Sequence, residues 1–185
     1  CCPTRSALLT GKHASSTGVY GNNQNLKNAA TAKDVVTLPE YFGKHGYHTV
    51  SAGKIFHKHE VATGLDEGQW AFHEFAHPGG GNKGMLWEET PPPVDGIKAG
   101  GTDFAWGAVK APVEETKDYV ACQWASDQLQ RDFDGKPFFL ALGISKPHLP
   151  WYVPQQFFDL YPLEKIRPAE FLRTDLDDIV RKDGK

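Results

Sequence analysis

CCPTRSALLTG, residues 1–11, is the segment from which we infer the fold of this chain. Pro3 suits the first turn of a helix, where its missing N–H group costs nothing, and Gly11 suits the left-handed residue that ends a helix. The sequence therefore predicts a helix of about two turns that begins just after Cys1. The free N–H groups and the positive end of the helix dipole would face the Cys1 side chain, and Arg5 would add a full positive charge. Together these features predict a site that stabilises an anion.

Two segments further along the chain predict a helix followed by a strand. Residues 37–45 begin with a threonine, carry an acid in the first turn and stop before Gly46, which predicts a short helix. Residues 47–52 are rich in residues that favour strands. Lys54 would then lie just past the carboxyl end of that strand.

The second half of the chain predicts the same order of elements. Apolar residues recur with helical spacing over residues 113–133 and predict a helix that ends by Gly135. Residues 138–144 form a continuous apolar run, which predicts a strand buried on both faces of a sheet. His148 would lie just past this strand. Helices that alternate with such strands indicate an α/β fold with a mostly parallel sheet, whose ligands collect at the carboxyl ends of the strands.

Between these two halves, residues 60–112 are dominated by Gly, Pro and Trp and are predicted to be mostly ordered loops. Long loops inside a compact domain are usually functional, so Trp70, Trp87 and Trp106 could line a sugar-binding mouth. Packing of these tryptophans against the rest of the domain is an equal alternative. In the helix predicted after this segment, we expect Cys122 to pack in the core.

The composition excludes several classes of function. With 185 residues and a formal net charge of −3, the chain can form one domain with a core and offers no bulk attraction to nucleic acid or to an anionic membrane. No apolar run approaches the ~20 residues that a transmembrane helix needs. Three cysteines, two of them adjacent, do not predict a disulfide framework. We therefore expect no nucleic-acid partner and no membrane span.

Residues 1–11 also resemble the type I sulfatase signature, Cys-x-Pro-Ser/Thr-Arg-x-x-x-Leu-Thr-Gly. Every fixed position is matched, by Cys1, Pro3, Thr4, Arg5, Leu9, Thr10 and Gly11. GYHTVSAGKIFH, residues 46–57, resembles a second sulfatase block, with the lysine-to-histidine spacing of three found in the iduronate-2-sulfatase branch. KPHLP and YPLE, residues 146–150 and 161–164, resemble segments of the same branch. By these blocks the chain is identified as a member of the sulfatase family.

The resemblance implies an alkaline-phosphatase-like sulfatase core, in which a formylglycine-generating enzyme converts Cys1 to formylglycine. The hydrated aldehyde would be the nucleophile and an oxygen ligand of a Ca²⁺ ion. Arg5 would hold the hydrate and the carboxylates of the metal site, and Lys54 would bind a sulfate oxygen. His57 would hydrogen-bond the diol, and His148 would give a proton or a hydrogen bond to the leaving alcohol.

Four of these residues also have a plainer alternative. Cys1 could stay an unmodified cysteine beside a helix cap, and Arg5 could form a surface ion pair. Lys54 could be a solvated lysine. His148 could be a histidine with a structural role in its loop.

The reaction implied by the resemblance is hydrolysis of a sulfate ester, on a carbohydrate or on another alcohol. Two alternatives stay open. One is a phosphonate or phosphate ester hydrolase, since related enzymes use the same motif. The other is a pseudoenzyme that binds sulfated glycans through Arg5, Lys54 and His57.

The same resemblance bears on domain organisation. In the family, carboxylates upstream and downstream of the matched blocks hold the Ca²⁺ ion. We therefore expect residues 1–185 to be a partial sulfatase catalytic domain whose flanking parts are absent, and to be inactive alone. A periplasmic, secreted or lysosomal location is implied by the family only.

Overall fold

The computed structural model describes residues 1–27, 29–57, 69–76, 98–99, 102–175 and 177–179 of the chain. The helices are α1 (Cys2–Thr10), α2 (Ala14–Thr17), α3 (Leu38–Lys44), α4 (Lys117–Leu129) and α5 (Gln155–Asp159), with short 3₁₀ helices at Gln69–Ala71, Val113–Glu115 and Leu163–Lys165. The strands are β1 (His48–Gly53), β2 (Glu74–Ala76), β3 (Lys98–Ala99), β4 (Thr102–Asp103), β5 (Trp106–Val109), β6 (Phe138–Gly143) and β7 (Trp151–Pro154). No helix within the described ranges is long and apolar enough to cross a membrane.

The main sheet contains three strands in the order β2-β1-β6, and all of them run parallel. β1 pairs with β6 along its whole length, from His48 opposite Phe138 to Gly53 opposite Gly143. This parallel register brings the carboxyl ends of both strands to the same edge of the sheet. The segments that follow β1 and β6 therefore lie side by side. The other described strands form two smaller sheets, in which β3 pairs with β4 antiparallel and β5 pairs with β7 parallel.

Helical segments cover both faces of the main sheet. Phe42 of α3 stacks on Phe139 with ring centroids 4.6 Å apart. On the other side, Phe133, which follows α4, lies 5.1 Å from His48 and 5.1 Å from Phe138. Successive side chains of a strand point to opposite faces, so the two aromatic contacts of β6 lie on different faces. The predicted α/β fold with a parallel sheet is confirmed.

Local signals set the ends of these helices. Glu40 accepts a hydrogen bond from the backbone N–H of Thr37 at 2.9 Å, which satisfies a group that the start of α3 leaves unpaired. Thr116 accepts from Tyr119 N–H at the start of α4. Gly11 ends α1 with a φ of 65°, the left-handed conformation that glycine adopts without strain. The helix predicted just after Cys1 is therefore confirmed.

An apolar core fixes α1 against the segment that follows β1. It includes the buried side chains of Cys2, Leu9, Val19, Leu26 and Phe56. Burial of a large apolar side chain of this kind contributes about 1.5–3 kcal/mol. Because α1 supplies two of these residues and the end of β1 leads into Phe56, the core holds the two parts together.

A charged network lies at the opposite end of the main sheet. Glu74 of β2 accepts two hydrogen bonds from Arg131, at 2.6 and 2.7 Å, and lies 2.7 Å from His48 Nε2. Hydrogen bonding to Arg131 is the main reason that the pKa of Glu74 is lowered to about 2. The carboxylate is therefore ionised at neutral pH and connects β2 to the segment after α4.

β6 is a strand as predicted, but the prediction that both of its faces are buried is wrong. Phe138 is 37% exposed and Leu142 is 39% exposed. Within the described residues, β6 pairs with β1 along one edge and with no strand along the other. An apolar run indicates a strand, but the neighbours that cover the strand are set by tertiary structure.

Within residues 60–112, β2 and β5 are strands that the sequence did not predict. β2 pairs in parallel with β1, and β5 pairs in parallel with β7. Strands of three and four residues are too short for an alternating pattern to be recognised, so their pairing depends on tertiary context. Much of the remaining segment, including Trp87, lies outside the described residues.

Trp70 supports the packing alternative over a sugar-binding mouth. Its ring lies 5.0 Å from that of Phe56, and the ammonium group of Lys27 lies 4.0 Å from its centroid. Trp106 is 38% exposed and contacts Phe104 edge to face. The two tryptophans of this segment that the structure describes therefore each pack against neighbouring side chains.

Cys122 does not pack in the core, so that prediction is wrong. The helix predicted over residues 113–133 exists as α4, preceded by a 3₁₀ turn, but Cys122 is exposed. Ala121 and Ala125 are the small residues that α4 buries, one turn apart. The helix is rotated so that these alanines and Gln128, and not the larger apolar residues, form its buried face.

Candidate functional site

The two adjacent cysteines have different environments at the start of α1. Cys1 is exposed at the N-cap position, whereas Cys2 is buried. The N–H group of Cys2 donates to Asn22 Oδ1 at 2.9 Å, and its thiol donates to the carbonyl oxygen of Gln24 at 3.0 Å. Burial also raises the pKa of the Cys2 thiol, which disfavours the reactive thiolate. Cys1 is therefore the cysteine of this pair that presents its side chain to solvent.

Arg5 connects α1 to the segment just past β1. Its Nη1 atom donates to the carbonyl oxygens of Lys54 and Ile55, the second at 2.9 Å. Its backbone N–H donates to the carbonyl oxygen of Cys1 at 3.0 Å, in the first turn of the helix. The guanidinium group therefore lies between the helix that begins at Cys1 and the backbone of Lys54.

Two glycines let the ends of β1 and β6 approach each other closely. Gly53 has a φ of +73°, and a β-carbon on it would lie 2.0 Å from the carbonyl oxygen of Gly143. A β-carbon on Gly143 would lie 2.0 Å from the carbonyl oxygen of Lys54. Lys54 N–H donates to the Gly143 carbonyl at 2.9 Å across this contact. A larger residue at either position would push the strand ends apart.

His57 lies among the other predicted site residues. Its Nδ1 atom is buried and has no hydrogen-bond partner in the part of the chain that the structure describes. Its pKa is lowered to about 4, first by burial and then by nearby positive charges, which are those of Lys54, the amino group of Cys1, Arg5 and His148. The imidazole is therefore neutral at neutral pH.

His148 lies in the loop that follows β6, and its position is fixed by backbone contacts. Its N–H donates to the carbonyl oxygen of Ser145 at 3.1 Å, and its ring Nδ1 lies 2.7 Å from the carbonyl oxygen of Leu149. The side chain is exposed. The ring nitrogen next to a carbonyl must carry a proton to bond it, which leaves Nε2 as the atom that can exchange a proton.

The structure thus brings together Arg5 of the helix that begins at Cys1, the segment of Lys54 and His57 after β1, and the loop of His148 after β6. The charges of Arg5, Lys54 and His148 also lower the pKa of His57. Two cations and the N–H groups at the start of a helix can bind an oxyanion such as sulfate or phosphate. A neutral imidazole beside them can accept a proton or a hydrogen bond. Sequence reasoning missed Asp118, whose carboxylate bonds the loop of His148. An acid in the first turn of a helix gives no sign in the sequence that it bonds a distant loop.

The described residues of this chain do not by themselves form a calcium site. No group of three or more His, Cys, Asp or Glu side chains is placed among them to hold a metal ion. Modified Cys1 would contribute one oxygen, and Ca²⁺ takes 6–8 oxygen ligands in general.

The sequence profile of the sulfatase family matches residues 1–169. The chain belongs to the sulfatase family. It is 40% identical to a sulfatase of Formosa agariphila over 97% of the chain and 36% of that protein. It is 31% identical to human iduronate 2-sulfatase over 91% of the chain and 30% of that enzyme.

A solved structure supports the same fold. This structure matches the chain with a TM-score of 0.54 and 18% sequence identity. The match covers 97% of this chain and 31% of the solved one. That protein was solved in complex with its substrate, D-glucosamine-2-N,6-O-disulfate. The chain thus spans about a third of the length of these proteins. The predicted family and the sulfatase fold are confirmed.

The contact between Gly53 and Gly143 yields a prediction with a matched control. Gly46 also has a positive φ, +86°, but a β-carbon there would meet nothing within 4 Å. In the full-length protein, we expect Gly46→Ala to lower the free energy of unfolding by about 1–2 kcal/mol, the general cost of alanine in the left-handed conformation. Gly53→Ala should lower the free energy of unfolding by more than Gly46→Ala, because its β-carbon would clash with Gly143. It should also lower turnover, because it displaces Lys54. Thermal unfolding and steady-state kinetics measure both effects, and equal losses from the two variants would contradict the close approach.

Proposed function

We propose that this chain forms part of the catalytic domain of a sulfuric ester hydrolase. The observation that carries the proposal is the hydrogen bonding of Arg5, in the helix that begins at Cys1, to the backbone of Lys54 and Ile55 beside the paired ends of β1 and β6, in a chain of the sulfatase family. These residues come from the start of a helix and from the ends of two neighbouring parallel strands.

The roles follow from the position and charge of each side chain. Lys54 binds a sulfate oxygen as a point charge, and its positive charge favours the bound anion. Arg5, whose guanidinium group is fixed by the carbonyl oxygens of Lys54 and Ile55, holds the hydrate and the carboxylates of the metal site in place. His57 is neutral at neutral pH, because its pKa is lowered to about 4, and a neutral ring nitrogen can accept a hydrogen bond from the diol hydroxyl. His148 is exposed, and when its Nε2 also carries a proton it can donate to the oxygen of the leaving alcohol.

Cys1 is the residue that we propose to be converted to formylglycine. When hydrated, that group supplies one hydroxyl for attack on sulfur and a second whose deprotonation expels sulfate. Exposure of Cys1 and burial of Cys2 support the choice of the first cysteine. The Ca²⁺ ion that the resemblance implies would take most of its ligands from parts of the protein outside this chain.

The substrate class that we propose is a sulfated carbohydrate. Support comes from two relatives, because one is named iduronate 2-sulfatase and another is named ulvan-active sulfatase. The structural neighbour was solved with a sulfated glucosamine. The maturation partner would be a formylglycine-generating enzyme.

The nucleophile can be tested by comparing the two adjacent cysteines. In the full-length protein produced with a formylglycine-generating enzyme, Cys1→Ala should abolish hydrolysis of sulfated sugars, since the attacking oxygen is lost. Cys2→Ala should keep most of the activity, because it removes only a buried sulfur atom. Intact mass of the Cys1 peptide should be lower by about 18 Da than the thiol form.

Three outcomes would contradict the proposal in different ways. If Cys2→Ala were inactive and Cys1→Ala active, the nucleophile would be Cys2 and not Cys1. A thiol mass at Cys1 in an inactive protein that binds sulfated sugars would indicate a pseudoenzyme. Faster turnover of phosphate esters than of matched sulfate esters would indicate a phosphate ester hydrolase.

Lys54 can be tested against Lys44, an exposed lysine at the end of α3. Lys44 precedes β1, whereas Lys54 follows it, so the two lysines lie toward opposite ends of that strand. Lys54→Ala should lower turnover by roughly 10²–10³, the scale for losing one fixed group that stabilises developing charge. Lys44→Ala should leave steady-state kinetics unchanged. Equal effects would remove Lys54 from the site.

A further inference from the structure

Asp118 uses both of its carboxylate oxygens to hold the loop that follows β6. Oδ1 accepts a hydrogen bond from the backbone N–H of Ser145 at 2.8 Å, and Oδ2 accepts one from Lys146 at 2.9 Å. Asp118 lies in the first turn of α4, nearly thirty residues earlier in the chain. Hydrogen bonds to an ionised acceptor are about twice as strong as those between neutral groups. Asp118 therefore ties a helix to the start of a loop.

The same two N–H groups belong to the turn that carries His148. Ser145, whose N–H is bonded to Asp118, accepts the N–H of His148 at its carbonyl oxygen. Within the loop, Lys146 Nζ donates to the carbonyl of Pro150 at 2.5 Å, and Trp151 Nε1 donates to that of Pro147 at 2.7 Å. The loop is thus bonded internally, and Asp118 attaches its first residues to α4.

Two observations separate this role from ordinary helix capping. Thr116 already caps α4, by accepting the N–H of Tyr119, so the carboxylate of Asp118 is not needed there. Also, the bonds of Asp118 end at the loop whose histidine acts electrostatically on His57. A shift of this loop would move His148 relative to the rest of the site.

We propose that Asp118 is a positioning residue for the hydrolytic reaction and acts through His148. It touches no reacting atom. By fixing the Ser145–His148 turn, it sets the position from which Nε2 of His148 reaches the leaving oxygen. The inference rests on the proposed function, because it assigns His148 to the same reaction.

The test compares Asp118 with Asp127 in the full-length enzyme. Asp127 lies in the same helix, and its exposed carboxylate accepts only a local bond from Gln123 in the described structure. With a sulfated sugar as the substrate, Asp118→Asn should lower kcat by roughly 10- to 100-fold, the scale for misplacement of a catalytic group. Asp127→Asn should leave kcat unchanged. Asp118→Glu keeps both acceptor oxygens and should recover part of the kcat that Asp118→Asn loses. This variant keeps the test decisive if Asp118→Asn destabilises the fold.

A double-mutant cycle with His148→Ala provides the readout that a merely structural role would not change. If Asp118 acts through His148, adding Asp118→Asn to His148→Ala should lower kcat by less than about twofold further. The inference would be overturned if the double variant lost kcat by the product of the two single losses. It would also be overturned if Asp118→Asn left kcat unchanged while His148→Ala lowered it.

The failure of the proposed function has a different signature. In that case the unaltered, formylglycine-containing protein would not hydrolyse sulfate esters, or Cys1→Ala would remain active. A silent His148→Ala in an otherwise active enzyme would overturn the role of Asp118 and leave the assignment of Cys1 in place.

Discussion

At the carboxyl end of the main sheet, the backbones of Gly53 and Gly143 approach so closely that neither position has room for a β-carbon. This contact determines how far apart the segments after β1 and β6 lie. Lys54 and His57 follow one strand and His148 follows the other, so their relative positions depend on it. Arg5 then joins α1 to the same place by donating to the carbonyl oxygens of Lys54 and Ile55. Three elements distant in sequence are thereby held around one small volume.

The charges at the two ends of the main sheet differ in a way that fits an anion site at one end. Every charge that shifts the pKa of His57 is positive, and together with burial they keep the ring neutral. At the opposite end, Glu74 is ionised and bonded to Arg131, so this charged pair serves to connect elements. The first environment lowers the energy of a bound anion, whereas the second is internally neutralised.

The parts of the fold that sequence reasoning predicted are those with strong local signals. α1 is specified by the proline near its start and by Gly11 at its end, and β6 by its apolar run. The exposure of Cys122 and Leu142 was not predictable, because it depends on which elements pack against α4 and β6. β2 was missed because a strand of three residues carries no recognisable period.

The residues of the candidate site also differ in whether the sequence could predict them. Cys1, Lys54 and His148 could be proposed from sequence, since each lies next to a predicted helix start or strand end. Asp118 could not, because hydrogen bonds to the backbone of Ser145 and Lys146 leave no pattern in the residues that they join. Local chemistry can be read along the chain, whereas contacts between loops need the tertiary structure.

The most direct test of the shared anion site is a crystal structure of the full-length protein with inorganic sulfate bound. A single sulfate should lie at hydrogen-bond distance, about 3 Å, from Lys54 Nζ and from the side chain of residue 1, with His57 and His148 around it. A sulfate bound elsewhere, with Lys54 or His148 directed more than about 10 Å away from residue 1, would contradict the account, because direct contacts to one ion require the hydrogen-bond distance.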